Sequence, residues 1–202
     1  MSETPENVDG LDVVGCTRCS DLVDSRSRIV NGDGPDAADL LFVGEAPGER
    51  EDDEGRPFVG RSGDVLDDAL ADAGLTREAV RITNCVRCRP PDNRDPTAEE
   101  LANCRPYLDA EVAAVDPEVV VTLGKVPSEH LLDRSVAVTV EAGDVVDAWV
   151  GGRSRRVLVS VHPAATLYDR SQRETFTDAV AKAASLAGVD PDDDDQSRIG
   201  DF

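Results

Sequence analysis

Lysine, aromatic residues and long apolar runs are scarce in this sequence. Lys125 and Lys182 are the only lysines, and aromatic residues make up 3% of the chain. No stretch reaches the roughly 18 consecutive apolar residues that a membrane-spanning helix needs, which excludes a membrane-embedded protein. Residues 1–10, MSETPENVDG, are acidic and polar. They do not resemble a secretory signal peptide, so we expect a cytoplasmic protein.

Acidic residues, by contrast, are abundant. The chain has 42 Asp and Glu residues against 21 Lys and Arg residues, for a formal net charge of -21. This balance is typical of salt-accumulating halophiles, whose acidic surfaces stay hydrated while salt screens their self-repulsion. Such a charge argues against a nucleic-acid partner in dilute salt. The argument weakens in molar salt, where counterion release contributes little and where base contacts, stacking and local arginines would carry binding.

The cysteines form two CxxC pairs and one single residue. In a chain without a secretion signal, this favours a metal or redox role over disulfides. The cysteines could form two alternative sets of metal ligands. A zinc site would use Cys16, Cys19, Cys85 and Cys88, with Cys104 as a buried thiol. An iron-sulfur cluster would use Cys16, Cys19, Cys88 and Cys104, with Cys85 left over. Residue chemistry does not choose between them, because thiolates suit either metal.

Alternating apolar runs and helical patterns predict an α/β fold. Helices are predicted over 63–73 with Ser62 as N-cap, over 97–115 with a Thr97–Glu100 capping box and a break at Pro106, and over 127–132 and 173–186. A charged loop is expected over 49–54 and two short β segments over 137–150. These features predict a four-stranded, mostly parallel sheet with helices on both faces. The predicted buried strands are Leu40–Val43, Val80–Asn84, Glu118–Leu123 and Val157–Val161.

Three of these strands end in side chains that can do chemistry. Glu45 follows the first strand, Asn84 ends the second, and His162 follows the fourth. The carboxyl ends of parallel strands meet at one edge of a sheet, which is where ligands bind in such folds. The loop after the first strand is GEAPG, and its glycines let backbone amides approach a ligand closely. The pattern therefore predicts a site at this edge.

Three motifs in order resemble the family 4 uracil-DNA glycosylases: GEAPGEREDDEGRPFVGRSG, ITNCVRCRPPDNRDP and VHPAATL. The resemblance runs from about Cys16 to Leu186, and the acidic composition is similar to that of a haloarchaeal member. It implies a three-layer α/β/α sandwich and hydrolytic excision of uracil from DNA at the start of base excision repair. It also implies a structural [4Fe-4S] cluster held by Cys16, Cys19, Cys88 and Cys104.

The resemblance also implies roles at the predicted site. Asn84 would read the edge of a flipped uracil, and Phe58 would stack on the base. His162 would stabilise the leaving uracil anion. Glu45 and the backbone of Ala46 would place the attacking water. Glu51 would lie near uracil C5 and exclude the methyl group of thymine.

Contacts with DNA are expected from loops at the same edge. The segment HPAATLYDR from His162 to Arg170 resembles the family's wedge loop, with Leu167 or Tyr168 filling the gap left by the flipped base. Ala164 and Ala165 stand where members often carry Ser and an aromatic residue. The expected phosphate partners are arginines: Arg87, Arg89, Arg94, Arg153, Arg155, Arg156 and Arg170.

The termini are expected to lie outside the domain. We predict a disordered segment over 1–10, the glycosylase domain over 11–188, and an acidic linker with a tail over 189–202. In that tail Gln196, Ile199 and Phe202 resemble the box with which repair enzymes bind the sliding clamp. The sequence has no feature that indicates an oligomer, so we expect a monomer.

Three other interpretations compete with this one. A related group traps uracil covalently through a histidine in a basic insertion, but Glu49–Glu54 is acidic and has no histidine. A cluster protein could bind nucleic acid without catalysis. A zinc-binding module would use both CxxC pairs.

Overall fold

The computed structural model describes residues 8–189. Strands β1 (Val8–Asp9) and β2 (Asp12–Val13) form a small antiparallel hairpin, and helix α1 (Ser20–Ser25) follows. Val8 and Asp9 thus form a strand where the sequence predicts disorder. No helix in the described part of the chain is long and apolar enough to cross a membrane.

The main sheet has five strands, in the order β4-β3-β5-β7-β6. Strands β3, β4, β5 and β7 are parallel, and β6 pairs antiparallel with β7 at the edge. The prediction of a four-stranded sheet therefore leaves out β6, which was expected only as a separate short β segment, because its residues alternate between exposed and half-buried up to Val150 and form no buried apolar run. The strands are β3 (Leu40–Gly44), β4 (Arg81–Asn84), β5 (Val119–Leu123), β6 (Val145–Val150) and β7 (Arg153–Ser160).

Helices cover both faces of the sheet. Leu40 and Phe42 of β3 face one core together with α3 and α7, whereas Leu41 and Val43 face a second core together with α4 and α5. This alternation follows from the two-residue period of a strand. The predicted three-layer arrangement is confirmed. The remaining helices are α2 (Glu49–Glu54), α3 (Arg61–Asp72), α4 (Ala98–Val115), α5 (Lys125–Leu132), α6 (Val138–Glu141) and α7 (Arg170–Leu186).

Helix α4 runs unbroken through Pro106, so the predicted break is wrong. Proline removes a bond to the carbonyl of Ala102, and both residues are exposed, so water can satisfy that carbonyl. The predicted capping box is confirmed: the Thr97 N–H donates to Glu100 at 2.7 Å, and the Glu100 N–H donates to Thr97 at 3.2 Å.

Two other helices begin differently from the prediction. Gly60, rather than Ser62, is the N-cap of α3. The segment 49–54, expected as a charged loop, is the helix α2, and the Glu51 carboxylate accepts the backbone N–H of Gly48 at 2.6 Å. Of the two β segments predicted over 137–150, one is the helix α6 and the other is β6.

Candidate active site and metal centre

The ends of β3 and β4 lie at the sheet edge where the predicted site residues meet, and we call the set of Asn84, Phe58 and His162 the base pocket. Gly44 lies opposite Asn84 in the sheet. A methyl group on Gly44 would overlap the Asn84 Oδ1 atom and would lie 2.5 Å from the Phe58 ring, so only glycine fits between them. The Asn84 side chain is 3% exposed. Within residues 8–189 its Nδ2 atom has no hydrogen-bond partner. Because an unpaired buried donor costs about 1–3 kcal/mol, this amide is suited to receive an acceptor from a ligand.

Phe58 is held in an unusual conformation beside this amide. Its φ is 53°, a left-handed value that costs energy for a residue other than glycine. The Glu51 carboxylate accepts the Phe58 N–H, and Arg77 donates to the Phe58 carbonyl at 3.1 Å. Glu51 is therefore no solvated surface carboxylate, because its two oxygens fix the Gly48 and Phe58 backbones. Burial raises the pKa of Glu51, and these backbone hydrogen bonds oppose that shift.

His162 reaches the pocket from the end of β7. Its ring centroid lies 5.9 Å from that of Phe58, at an interplanar angle of 31°. The Ala164 N–H donates to Nδ1 at 3.1 Å, so the proton of the neutral ring lies on Nε2. This bond comes from the backbone, so the alanine found here in place of the family's serine leaves it intact. Burial lowers the pKa of His162 to about 4. At neutral pH the ring is therefore an uncharged donor.

Glu45 follows β3 at the same edge. Burial, together with the negative charge of Asp95 and the hydrogen bond between the two carboxyl groups, raises the pKa of Glu45 to about 7. A carboxylate with this pKa is well matched to accept a proton at neutral pH. Asp95 was not among the predicted site residues, because the loop that carries it was interpreted only as a source of arginines and cysteine ligands. Ala46, the next residue, is half-buried and packs against Leu22 and Val86.

Four of the five cysteines surround one cavity. Cys16, Cys19, Cys88 and Cys104 line it together with Leu22 and Val86. Cys85 instead packs in the core between the sheet and α4, and burial raises the pKa of its thiol, which keeps it protonated. The structure therefore does not bring together the four cysteines of the two CxxC pairs, which the zinc site would need. In the described residues no His, Cys, Asp or Glu group is arranged to hold a single metal ion. A cluster needs a wider arrangement, since its cysteines bind different irons.

The predicted wedge loop lies directly after His162. It forms a short 3₁₀ helix, Pro163–Leu167, followed by Tyr168, which is 85% exposed. Leu167 is half-buried, and Arg170 is exposed at the start of α7. Leu167, Tyr168 and Arg170 are thus adjacent to the pocket along the chain.

Two predicted phosphate partners lie in the loop after β4 and already have protein partners. Arg89 donates to Asn93 at 2.7 Å. Arg94 donates to both oxygens of Glu100, at 2.8 and 2.7 Å. Both side chains remain partly exposed. A phosphate would compete with these contacts or share the remaining donors.

Four other arginines cannot serve as predicted. Arg87 and Arg155 are buried, with Arg87 bonded to Glu111 at 2.6 Å. Arg153 and Arg156 lie at the amino-terminal end of β7, where they pair with Asp116 and Glu118. That end of a parallel strand is the edge of the sheet opposite His162. The expectation that these four bind phosphate is therefore wrong, because local arginine density does not show which edge a side chain reaches.

Comparison with known proteins decides the family. Residues 31–184 match the model described as the uracil DNA glycosylase superfamily. The type-4 uracil-DNA glycosylase of Archaeoglobus fulgidus is 38% identical over 189 residues, which cover 91% of this chain and 94% of the relative. That of Thermotoga maritima is 41% identical over 174 residues, covering 85% and 88%. The chain belongs to the type-4 uracil-DNA glycosylases.

A relative from a neighbouring type is more distant. The type-5 uracil-DNA glycosylase of Pyrobaculum aerophilum is 33% identical over 210 residues, covering 87% of this chain and 91% of the relative. The resemblance to family 4 noted in the sequence is thus confirmed. The match includes both Asn84 and His162, while the N-terminal cysteine pair lies before it.

In this type-4 chain, Glu45 should lower stability at alkaline pH. Its pKa is about 7 in the folded state against an ordinary value of 4.5, so the folded state disfavours the ionised form. Its contribution to stability is present below pH 4.5 and is lost as the pH rises through about 7. We expect Glu45→Gln to be more stable than the wild type at pH 8 by about 1–2 kcal/mol, allowing for solvent screening of this partly exposed group.

Chemical denaturation at pH 5 and pH 8, monitored by circular dichroism, measures this difference. Glu49→Gln is the matched control, since Glu49 lies on the same segment with an exposed side chain. Equal free energies of unfolding for Glu45→Gln and the wild type at pH 8 would contradict a raised pKa for Glu45.

Proposed function

We propose that the protein is a cytoplasmic, monofunctional uracil-DNA glycosylase, which hydrolyses the bond between uracil N1 and deoxyribose and so starts base excision repair. The observation that carries the proposal is the buried Asn84 amide near Phe58 and His162, whose Nδ2 has no hydrogen-bond partner among residues 8–189, in a chain of the type-4 family. Its relatives from Archaeoglobus fulgidus and Thermotoga maritima, which are named type-4 uracil-DNA glycosylases, support the same reaction.

Recognition of the base follows from the Asn84 amide. Nδ2 donates to uracil O4, and Oδ1 accepts the N3–H. Cytosine presents an amino group and an unprotonated nitrogen at these positions. The Nδ2 donor would then face the amino donor, and the Oδ1 acceptor would face the unprotonated nitrogen, which is also an acceptor. The mismatch costs about 1–3 kcal/mol for each unpaired group. Phe58 stacks on the flipped base, and Glu51 holds the Phe58 backbone in place for that contact. We also propose that Glu51 lies near uracil C5 and excludes thymine's methyl group.

Bond cleavage makes uracil an anion and gives the sugar positive charge. The His162 Nε2–H donates to uracil O2, where negative charge develops. Because the pKa of His162 is about 4, the ring donates this hydrogen bond as a neutral group and keeps its proton. A preorganised donor of this kind is worth about 2.7–4 kcal/mol.

Water attacks C1′ from the side of Glu45. The Glu45 carboxylate accepts a proton from this water, and the Ala46 backbone helps to orient it. Asp95 acts through Glu45, since its neighbouring charge and hydrogen bond help to hold the pKa of Glu45 near 7. The uracil anion leaves, and the sugar retains the hydroxyl group.

We propose that Cys16, Cys19, Cys88 and Cys104 hold a [4Fe-4S] cluster. The shared cavity of these four residues and the separation of Cys85 into another core support this set. When bound, the cluster supplies a covalent link between the segment before α1 and the loop after β4. The steps of uracil binding and bond cleavage described above use side chains and backbone groups of the protein and do not involve the cluster.

DNA contacts are proposed for Arg89, Arg94 and Arg170, with Leu167 or Tyr168 as the wedge. The exposure of the Tyr168 ring, in the segment that directly follows His162, supports this arrangement. High salt is the natural condition for the assay, because the net charge of -21 is screened there. We propose that the protein is halophilic and monomeric.

The purified protein in high potassium chloride, mixed with a labelled oligonucleotide that carries one uracil and then treated with alkali, tests the function. We expect strand cleavage at uracil and none at thymine or cytosine in the same context. Folded protein that contains iron but releases no uracil from single or double strands would overturn the proposal. A non-catalytic cluster protein that binds nucleic acid would then be the better interpretation.

The C-terminal tail carries a separate proposal. Gln196, Ile199 and Phe202 lie outside the residues that the structure describes, and their spacing alone supports binding to the sliding clamp. We expect a deletion of residues 196–202 to abolish capture of the protein by immobilised clamp, whereas Ser197→Ala leaves capture intact. Equal capture of the deletion variant and the wild type would end this proposal without affecting the glycosylase assay.

A further inference from the structure

Each of the four cavity cysteines has a hydrogen-bonding neighbour at its sulfur. Hydrogen bonds of this kind, together with net charge, set the reduction potential of iron-sulfur clusters. Three of the donors are neutral groups, and one is a guanidinium. The pairs are the Tyr107 hydroxyl with Cys16, Asn103 with Cys19 at 3.5 Å, Arg26 with Cys88 at 2.8 Å, and the Arg87 backbone N–H with Cys104.

Arg26, the charged donor, bridges two of the ligand segments. Its Nη1 donates to the Cys88 sulfur at 2.8 Å, and its Nη2 donates to the Cys16 carbonyl at 2.7 Å. One side chain therefore joins the loop after β4 to the segment before α1. The guanidinium fork is rigid and always charged, so both contacts form from one geometry.

The backbone around Arg26 is fixed from both sides. Its N–H donates to the Leu22 carbonyl at 3.0 Å, which ends α1. The next two N–H groups, of Ser27 and Arg28, donate to the buried carboxylate of Asp52 at 2.8 and 3.3 Å. These backbone contacts hold the Arg26 main chain in place, so its guanidinium is already positioned near the cysteines. Less conformational entropy is therefore lost when it makes its contacts.

We propose that Arg26 is the residue that sets the reduction potential of the cluster and retains it in the protein. A charged N–H donor at a thiolate sulfur stabilises negative charge there, so it favours the more reduced cluster. The same contacts hold Cys88 and the Cys16 backbone in place against loss of iron. Arg26 is a positioning residue and touches no substrate. The inference rests on the cluster proposed above.

Arg18 provides a matched control within the same cavity. Its Nη1 donates to the Asn103 carbonyl at 3.1 Å, and its guanidinium lies 4.7 Å from the centroid of the Tyr107 ring. It has the same charge as Arg26, lines the same cavity and is exposed, but its recorded contacts are with a carbonyl and a ring rather than a sulfur. Comparing the two residues separates a bond to sulfur from nearby charge.

The experiment uses the full-length, iron-containing protein and its Arg26→Gln, Arg26→Lys and Arg18→Gln variants. Voltammetry measures the potential at which the cluster gains one electron from the electrode, a step that breaks no bond in the protein. Visible absorbance during incubation with a chelator in air measures cluster loss. We expect a more negative potential and several-fold faster loss in Arg26→Gln, intermediate values in Arg26→Lys, and clearly smaller changes in Arg18→Gln, because Arg18 contacts the donors Asn103 and Tyr107 rather than a cysteine sulfur.

Other outcomes are equally decisive. Purification of Arg26→Gln without a cluster, while Arg26→Lys retains one, would support the inference. Wild-type potential and loss rate in Arg26→Gln, or an equal shift in Arg18→Gln, would overturn it. If the wild-type protein contains no iron, both the cluster proposal and this inference are overturned. The oligonucleotide assay on that same protein tests the glycosylase function separately.

Discussion

Replacing Asn84 with alanine should lower kcat/KM for uracil release by about 10²–10³-fold, because two polar positions on the base edge lose their partners at about 1–3 kcal/mol each. The amide is buried in the wild type, and its Nδ2 has no partner in the described part of the chain, so no contact within the protein competes with the base. Single-turnover cleavage of a labelled oligonucleotide with one uracil measures the loss.

Thr83→Val is the control for this substitution. Thr83 precedes Asn84 in β4 and is 1% exposed, and its hydroxyl also has no partner within the described residues. Valine has nearly the same shape and removes only that unpaired hydroxyl, so folding and uracil release should be preserved. An Asn84→Ala variant with wild-type kcat/KM would rule out Asn84 as the group that reads the base. An equal loss in Thr83→Val would indicate damage to β4 instead.

Replacing His162 with alanine should lower kcat by about 10²–10³-fold, the usual cost of removing one donor to a developing anion. KM should change little, because the interaction strengthens only as charge develops on uracil. Multiple-turnover kinetics at pH 8 separate the two constants. His130→Gln is the matched control: burial also lowers the pKa of His130 to about 4, but this residue lies at the end of α5, away from the pocket.

The pH profile distinguishes the two active-site groups. His162 has a pKa of about 4, so it stays neutral and contributes no change in rate between about pH 6 and 9. Glu45 must lose its proton to accept one from water, so the rate should rise with pH through about 7. His162→Ala should keep this rise at a lower rate, and Glu45→Gln should lose it. A wild-type rate that falls as the pH rises through 7 would contradict both roles.

Helix α2 connects the base pocket to the cysteine cavity. The carboxylates of two adjacent residues in this helix bind different segments of the chain. Glu51 accepts the Phe58 N–H, and Asp52 accepts the N–H groups of Ser27 and Arg28. The Phe58 backbone and the segment that carries Arg26 are therefore held by adjacent residues of one short helix. The sequence shows only a run of charged residues here, which is why it was interpreted as a loop.

Much of the fold could be predicted because it depends on local patterns. Leu40–Val43 is a continuous apolar run and Val157–Val161 is interrupted only by Ser160, and near-continuous apolar runs are typical of strands buried on both faces. Thr97 and Glu100 cap α4 through contacts three residues apart, which the sequence displays directly. β6 was predicted as a short β segment but not as a member of the main sheet, because an edge strand with one exposed face has an alternating pattern. Pro106 was misjudged because exposure of the freed carbonyl depends on the tertiary structure.

The sequence by itself determined the family, the parallel strands and the meeting of Glu45, Asn84 and His162 at one sheet edge, since chain direction and strand order are sufficient for that. The tertiary structure alone decided which arginines face the site, that Cys85 leaves the ligand set, and that Arg26 reaches the Cys88 sulfur. It also decided the protonation of two candidate site groups: burial and Asp95 bring the pKa of Glu45 near 7, and burial keeps His162 neutral. These properties depend on distance and solvent exclusion between segments far apart in the chain, which no local pattern records.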